Sequence, residues 1–263
     1  MLEVGLLTLG WLQALLLPLT RLGAFFLAAP LFPQVASNVR VRLIYAAALC
    51  VLMLPVLPST MTPPRAPFGE PNLLLLLNEA LLGVACGLAL QFVTAAVVLA
   101  GEQISMSLGI GFAQAFDPTV GSTPVVSQFL NLLALLVFIT TGGHTIVIAT
   151  MTESLRTLPP GSFSVLDLGT WLEASSTIFK GAALLCAPLL LAMLSVNIGM
   201  GVLQRSTPSL NVFSVGFAVS LIAGFALLFI LLPMISERIV ELWQRSEEHT
   251  SELQSRFGIS YAV

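Results

Sequence analysis

Apolar residues in this chain come in long blocks and not in short alternation with polar ones. Six blocks are readable, at about residues 6–31, 41–57, 73–100, 125–151, 178–202 and 212–235. A helix that crosses a bilayer needs ~20 apolar residues. The second block is marginal by that rule. Several others are longer, so they must tilt, break or leave the bilayer plane. The pattern predicts an all-α integral membrane protein with about six long hydrophobic helices.

The polar connections differ in character. Residues 32–40 form a short link that runs into Arg40 and Arg42, whereas 55–71 is proline-rich and reads as an extended linker without packed structure. Between 153 and 177, Pro159-Pro160-Gly161 precedes a possible short amphipathic piece, and 204–211 is a polar break containing Pro208. No internal repeat of fixed period is visible. The least ordinary connection is 101–118, GEQISMSLGIGFAQAFDP, which is Gly-rich, half apolar, carries Glu102 and Asp117 but no base, and ends on Asp117-Pro118. Irregular backbone beside hydrocarbon is tolerated where protein buries it or where it lines a cavity. Such a stretch between two apolar blocks points to a pathway or a gate.

Composition strengthens the membrane reading. The chain is 57% hydrophobic and 9% charged, with mean hydropathy +0.98, against about 45–50% and about 25% in soluble domains. The formal charge of -3 gives no reason to expect a nucleic-acid partner. Cys50, Cys86 and Cys186 lie inside apolar runs without metal-ligand spacing, so buried free thiols are expected. The start of the chain lacks a basic region and the first block is too long for a cleaved leader. Placing the ends of six alternating spans puts Arg40, Arg42 and Arg205 on one side and Arg65, Arg156, Lys180 and Arg238 on the other. That is no positive-inside bias, so the helices are not expected to be conventional crossings. Residues 245–263 (RSEEHTSELQSRFGISYAV) resemble the translation of a ligated sequencing adapter in one frame. They are expected to be foreign to the functional domain, 1–244.

Candidate chemistry is sparse. Arg21, Glu79 and Lys180 fall inside or at the edge of apolar blocks, where an unpaired charge costs ~3 kcal/mol. They read as buried assembly contacts or a structural ion pair, with a proton-linked site or, for Lys180, snorkelling as alternatives. Gly83-Val-Ala-Cys-Gly87 is a GxxxG face on which another helix can approach closely. Gly109-Ile-Gly111 lacks the third glycine, the preceding strand and the acidic partner of a nucleotide fingerprint. With Met106, Ile110, Phe112 and Phe116 it reads instead as a pliable apolar constriction, of the kind that closes a pore by dewetting. His144 is a single histidine in this region and cannot make a zinc site, nor does a nucleophile elbow accompany it. No catalytic residue, metal site or cofactor is expected, and the chain does not read as an enzyme.

The residues 109–118, the apolar run 130–138, Gly143-His144, Leu158-Pro159 and Arg205-Ser-Thr-Pro208-Ser-Leu-Asn211-Val-Phe213 together resemble the FliR/SctT family of type III export-gate proteins. Arg21, Ala29-Pro30-Leu-Phe32 and the Arg40/Arg42 pair fit as well, and the resemblance spans residues 1–244. Ser209 departs from the glutamine typical of the family at that position. The resemblance implies kinked helical hairpins assembled with FliP and FliQ homologues into a helical pore, held largely above the bilayer plane. It implies a plug formed by Gly109, Ile110, Gly111 and Phe112, more loosely extending to Phe116, with Asp117-Pro118 as the structural stop behind it. Unfolded flagellar subunits would pass through the pore, powered by an ATPase complex and by FlhA and FlhB homologues using the proton motive force. The location implied is the bacterial inner membrane at the flagellar basal body. A virulence type III homologue is the nearest alternative. A small-solute transporter coupled through Glu79 and Glu102 lacks the expected repeats, and an intramembrane hydrolase using His144 lacks partners.

Overall fold

A computed structural model describes residues 2–29, 38–53, 73–110, 124–157, 168–206 and 212–259. Among these residues all regular elements are α-helices: α1 (Leu2–Ala28), α2 (Val39–Met53), α3 (Leu73–Ser107), α4 (Val125–Thr140), α5 (Gly143–Thr157), α6 (Leu168–Ser206) and α7 (Val212–Ile259). The all-α membrane expectation therefore stands, but the six blocks do not become six spans. Three helical stretches among the described residues are long and apolar enough to cross a membrane: Leu73–Ser107, Ala174–Ser206 and Val215–Ser246. A fourth exists only if α4 and α5 count as one broken span.

The physical reasons are local. α2 has 15 residues and rises only ~22 Å, short of the ~30 Å hydrocarbon core. The fourth block breaks at Thr141-Gly142, where Gly142 takes φ +80°, a conformation that ends a helix in the usual glycine C-cap manner. In the first block Leu15–Ala28 is the shorter apolar helical stretch. By contrast, α3 has 35 residues and rises ~50 Å, well beyond one bilayer core. Pro18, Pro188 and Pro233 lie inside α1, α6 and α7, each removing one backbone donor from its helix.

The chain divides into two compact units. The first comprises residues 1–91, 142–174 and 245–263, the second 92–141 and 175–244. In the first, α1 packs on α2: Arg42 donates to the Leu27 carbonyl at 3.1 Å, and Cα of Gly23 faces Leu43. Its buried residues include Leu22, Phe25, Leu82, Ala85, Met151 and Leu155. Ser246, beyond the expected boundary at 245, is buried and donates to the Ala89 carbonyl at 3.2 Å. In the second unit, Val97, Ala100, Ile104, Leu130, Leu189 and Ile239 are buried, and Phe138 meets Trp243 with ring centroids 4.6 Å apart. The three candidate spans differ sharply in how much the chain itself covers them: 50% of the apolar window is buried in α3, 22% in α6 and 11% in α7.

Candidate functional site

The stretch expected to be irregular from residue 101 onward is helical as far as Ser107, which corrects its start. Gly101 is not a breaker but a contact point. A Cβ there would lie 2.5 Å from Cα of Ser127 in α4, and the Ser127 hydroxyl donates to the Val98 carbonyl at 3.0 Å. Small residues let the two helix backbones approach this closely. The helix gives way only at Leu108-Gly109, where the Leu108 amide bonds to the Ile104 carbonyl and the Gly109 amide to the Met106 carbonyl, both at 3.0 Å.

Gly109 has φ +82°, in the left-handed region that L side chains adopt at a cost. Leu108 is fully buried, with its side chain against Gly224 of α7. The ring of Phe217 lies 3.1 Å from where a Gly109 Cβ would sit. Met106 is 65% exposed and Ile110 half-buried. The root of the candidate plug is thus a seated turn with an exposed methionine beside it. Gly111, Phe112, Phe116, Asp117 and Pro118 lie outside the described residues. Gly109→Val is expected to destabilise this turn by about 1–2 kcal/mol, the cost of a left-handed conformation to a side-chain-bearing residue, and more through the Phe217 contact. Faster proteolytic cleavage next to residue 109 in native membranes would register it.

The buried charges lie in the first unit. Arg21 Nε donates to Glu79 Oε2 at 2.7 Å, and both side chains are completely buried. Arg21 Nη1 also donates to the carbonyl of Ser154 at 2.9 Å and to its Oγ at 3.3 Å. One guanidinium therefore ties α1 to α3 and α5. The glycine pair makes the approach possible: a Cβ at Gly83 would lie 2.1 Å from the Arg21 carbonyl oxygen, and one at Gly87 2.7 Å from the Ala28 Cβ. The GxxxG face is thus used inside the chain, by α1. The close α1–α3 crossing pairs Arg21 with Glu79 inside the chain. Lys180 departs from its grouping with them: it belongs to the second unit and is exposed, as befits a long side chain at the edge of an apolar run.

The other expected residues are scattered. Gly143 is buried at the start of α5 and His144 next to it is exposed. Arg205 is exposed in the last turn of α6. Pro208 and Asn211 lie outside the described residues, and Phe213 falls in the first turn of α7. No group of His, Cys, Asp and Glu among the described residues could hold a metal ion. Sequence reasoning missed Ser154, Ser127, Gly224 and Phe217. A serine or glycine in an apolar helix carries no mark of which helix it will face, so no local signal would have selected them.

The profile of the family described as Bacterial export proteins, family 1, matches residues 12–246. Among curated relatives, the flagellar biosynthetic protein FliR of Pectobacterium carotovorum subsp. carotovorum is 34% identical over 229 residues, covering 86% of this chain and 87% of the relative. The FliR of Escherichia coli (strain K12) is 34% identical over 232 residues, 87% of each chain. That of Aquifex aeolicus (strain VF5) is 31% identical over 230 residues, 86% of this chain and 88% of the relative.

Proposed function

The chain belongs to the bacterial export proteins of family 1, in its FliR branch, and from that premise we propose that it is a gating subunit of the flagellar type III export pore. Its role is in the flagellar export apparatus of a membrane, as a structural component and not an enzyme. The finer reading is that it completes a helical pore with FliP and FliQ homologues at the inner-membrane basal body. FlhA and FlhB homologues drive unfolded flagellar subunits through that pore, and the 109–112 stretch plugs it. The flagellar branch is favoured over a virulence system by the names of the relatives, each a flagellar biosynthetic protein.

The observation that carries the assembly reading is the bareness of α6 and α7. Only 22% and 11% of their apolar windows are buried within the chain. Phe179, Ile198, Val202, Ile222, Phe229 and Ile230 are all at least 60% exposed. Bare apolar faces of this extent suit packing against other apolar helices. Export gating asks no bond chemistry of the chain. Residues 245–263 stay outside this reading, and the family match ends next to their start, at residue 246.

Affinity purification of the tagged chain in mild detergent tests the assembly. FliP and FliQ homologues are expected to co-elute at constant ratio through size exclusion. A monodisperse lone chain that stays folded in the same detergent would contradict the proposal.

A further inference from the structure

We propose that α2 lies in one leaflet of the bilayer, with α1 on one side and lipid on the other, and binds anionic phospholipid through Arg40. This goes beyond the gate and does not depend on it. Between Glu3 and Glu70 the sequence carries Arg21, Arg40, Arg42 and Arg65 and not one acid. Arg21 is paired with Glu79 inside the fold, and Arg42 reaches the Leu27 carbonyl near the end of α1. Arg40 is exposed and forms no ion pair among the described residues. It stands at the start of a helix that is wholly apolar from Leu43 to Met53. One side of that helix is covered: Ala46, Cys50 and Met53, at i, i+4 and i+7, are buried, and Cys50 Sγ lies 4.0 Å from the Leu15 carbonyl of α1. The opposite side is bare. Ile44 is 67% exposed, Tyr45 51%, Val51 58% and Leu52 68%. Helical spacing puts Arg40, Ile44 and Val51 in one stripe along it.

Length, shape and charge each favour lipid over a further protein helix as the cover. With 15 residues, α2 rises ~22 Å against a hydrocarbon core of ~30 Å, so it enters a leaflet without crossing. Where this chain brings helices close together, the contact is built on small residues: Gly83 and Gly87 against α1, Gly101 against Ser127. The bare side of α2 instead presents bulky Ile44, Tyr45, Val51 and Leu52, and the helix contains neither glycine nor serine. Acyl chains accept such an uneven surface at no packing cost. Tyr45 sits near the basic end of the helix, as tyrosines do at headgroup level. The Arg40 stem can lie along the apolar stripe while its guanidinium reaches outward, where a phosphate is a bidentate partner. With no acid near it in the sequence, no local carboxylate competes for that cation.

The test uses the full chain in native membranes, with the photo-crosslinker p-benzoylphenylalanine in place of Ile44 or of Leu52. Both positions are exposed, so the larger side chain needs no room inside the fold. Mass analysis after illumination sorts the adducts into protein and lipid, and the lipid adducts by headgroup. Lipid adducts are expected at both positions. At position 44, the anionic phosphatidylglycerol and cardiolipin should exceed their share of the bulk lipid extract about fivefold, the preference that one basic residue confers at an anionic surface. Arg40→Gln should return the ratio to the bulk value, and Arg40→Lys should keep most of the excess. The ratio is read only on chain present in the membrane, so a lower yield of a variant does not alter it. Protein adducts alone at both positions would overturn the proposal, because a partner subunit would then cover α2. Lipid adducts at the bulk headgroup ratio, or an anionic excess that Arg40→Gln leaves unchanged, would overturn it as well. The gate is tested separately, by deletion of residues 110–112, and neither result decides the other.

Discussion

Glu79→Ala is expected to remove most of the protein from the membrane. The substitution leaves Arg21 charged and completely buried, bonded to Ser154 but stripped of its carboxylate at 2.7 Å. Removing one member of a buried pair costs about 3–5 kcal/mol, a large share of the 5–15 kcal/mol that holds a typical domain together. Gly83→Leu should fail in the same way for a steric reason. Its Cβ would fall 2.1 Å from a backbone oxygen of α1, so the helices must part and the ion pair with them. Immunoblots of membrane fractions, with pulse-chase half-lives, measure both. The double substitution Arg21→Met with Glu79→Leu separates structure from chemistry. Two buried charges replaced by apolar groups of similar volume are often neutral or stabilising, so this variant should accumulate and export. Accumulation of the double variant without export would show that the charges do more than hold α1, α3 and α5 together.

How far the sequence foretold this architecture differs from place to place. Long apolar blocks announce helices because only a helix satisfies its backbone within one continuous segment in hydrocarbon. Their ends were harder to read. Gly101 suggested a break where the helix continues, because a glycine permits both a turn and a close approach, and only Ser127 of α4 decides between them. Gly142 did break the fourth block, after Thr141 bonded back to the Val137 carbonyl at 2.9 Å. The pair Gly83 and Gly87 was legible as a packing face, but not the partner, since a GxxxG pattern carries no address. Arg21 and Glu79 were legible as a costly pair of charges 58 residues apart. Lys180, placed with them on hydropathy, is exposed, because a position at the edge of an apolar run lets a long side chain reach out. Leu108 and Gly224 were invisible as a contact: each looks like any other residue of an apolar helix until the fold brings them together.

Deleting residues 110–112 is expected to open the membrane to ions while the protein still assembles. The deletion lies beyond Leu108 and the turn at Gly109, so the seated root and the α3–α4 crossing at Gly101 are untouched. What is lost is the apolar stretch that would fill the pore. Three residues of fully extended chain reach at most ~10 Å, which is comparable to the width of a helix and enough to withdraw a plug from a constriction that closes by dewetting. Gly109→Val, by contrast, strains the turn without removing the plug and should leave the membrane far tighter. We propose that this chain closes an export pore with that stretch. The direct measurement is the membrane potential of cells carrying the deletion, taken beside affinity recovery of the complex from the same cells. A collapsed potential with FliP and FliQ homologues still bound is the expected result. A wild-type potential in cells that yield the intact complex would contradict it.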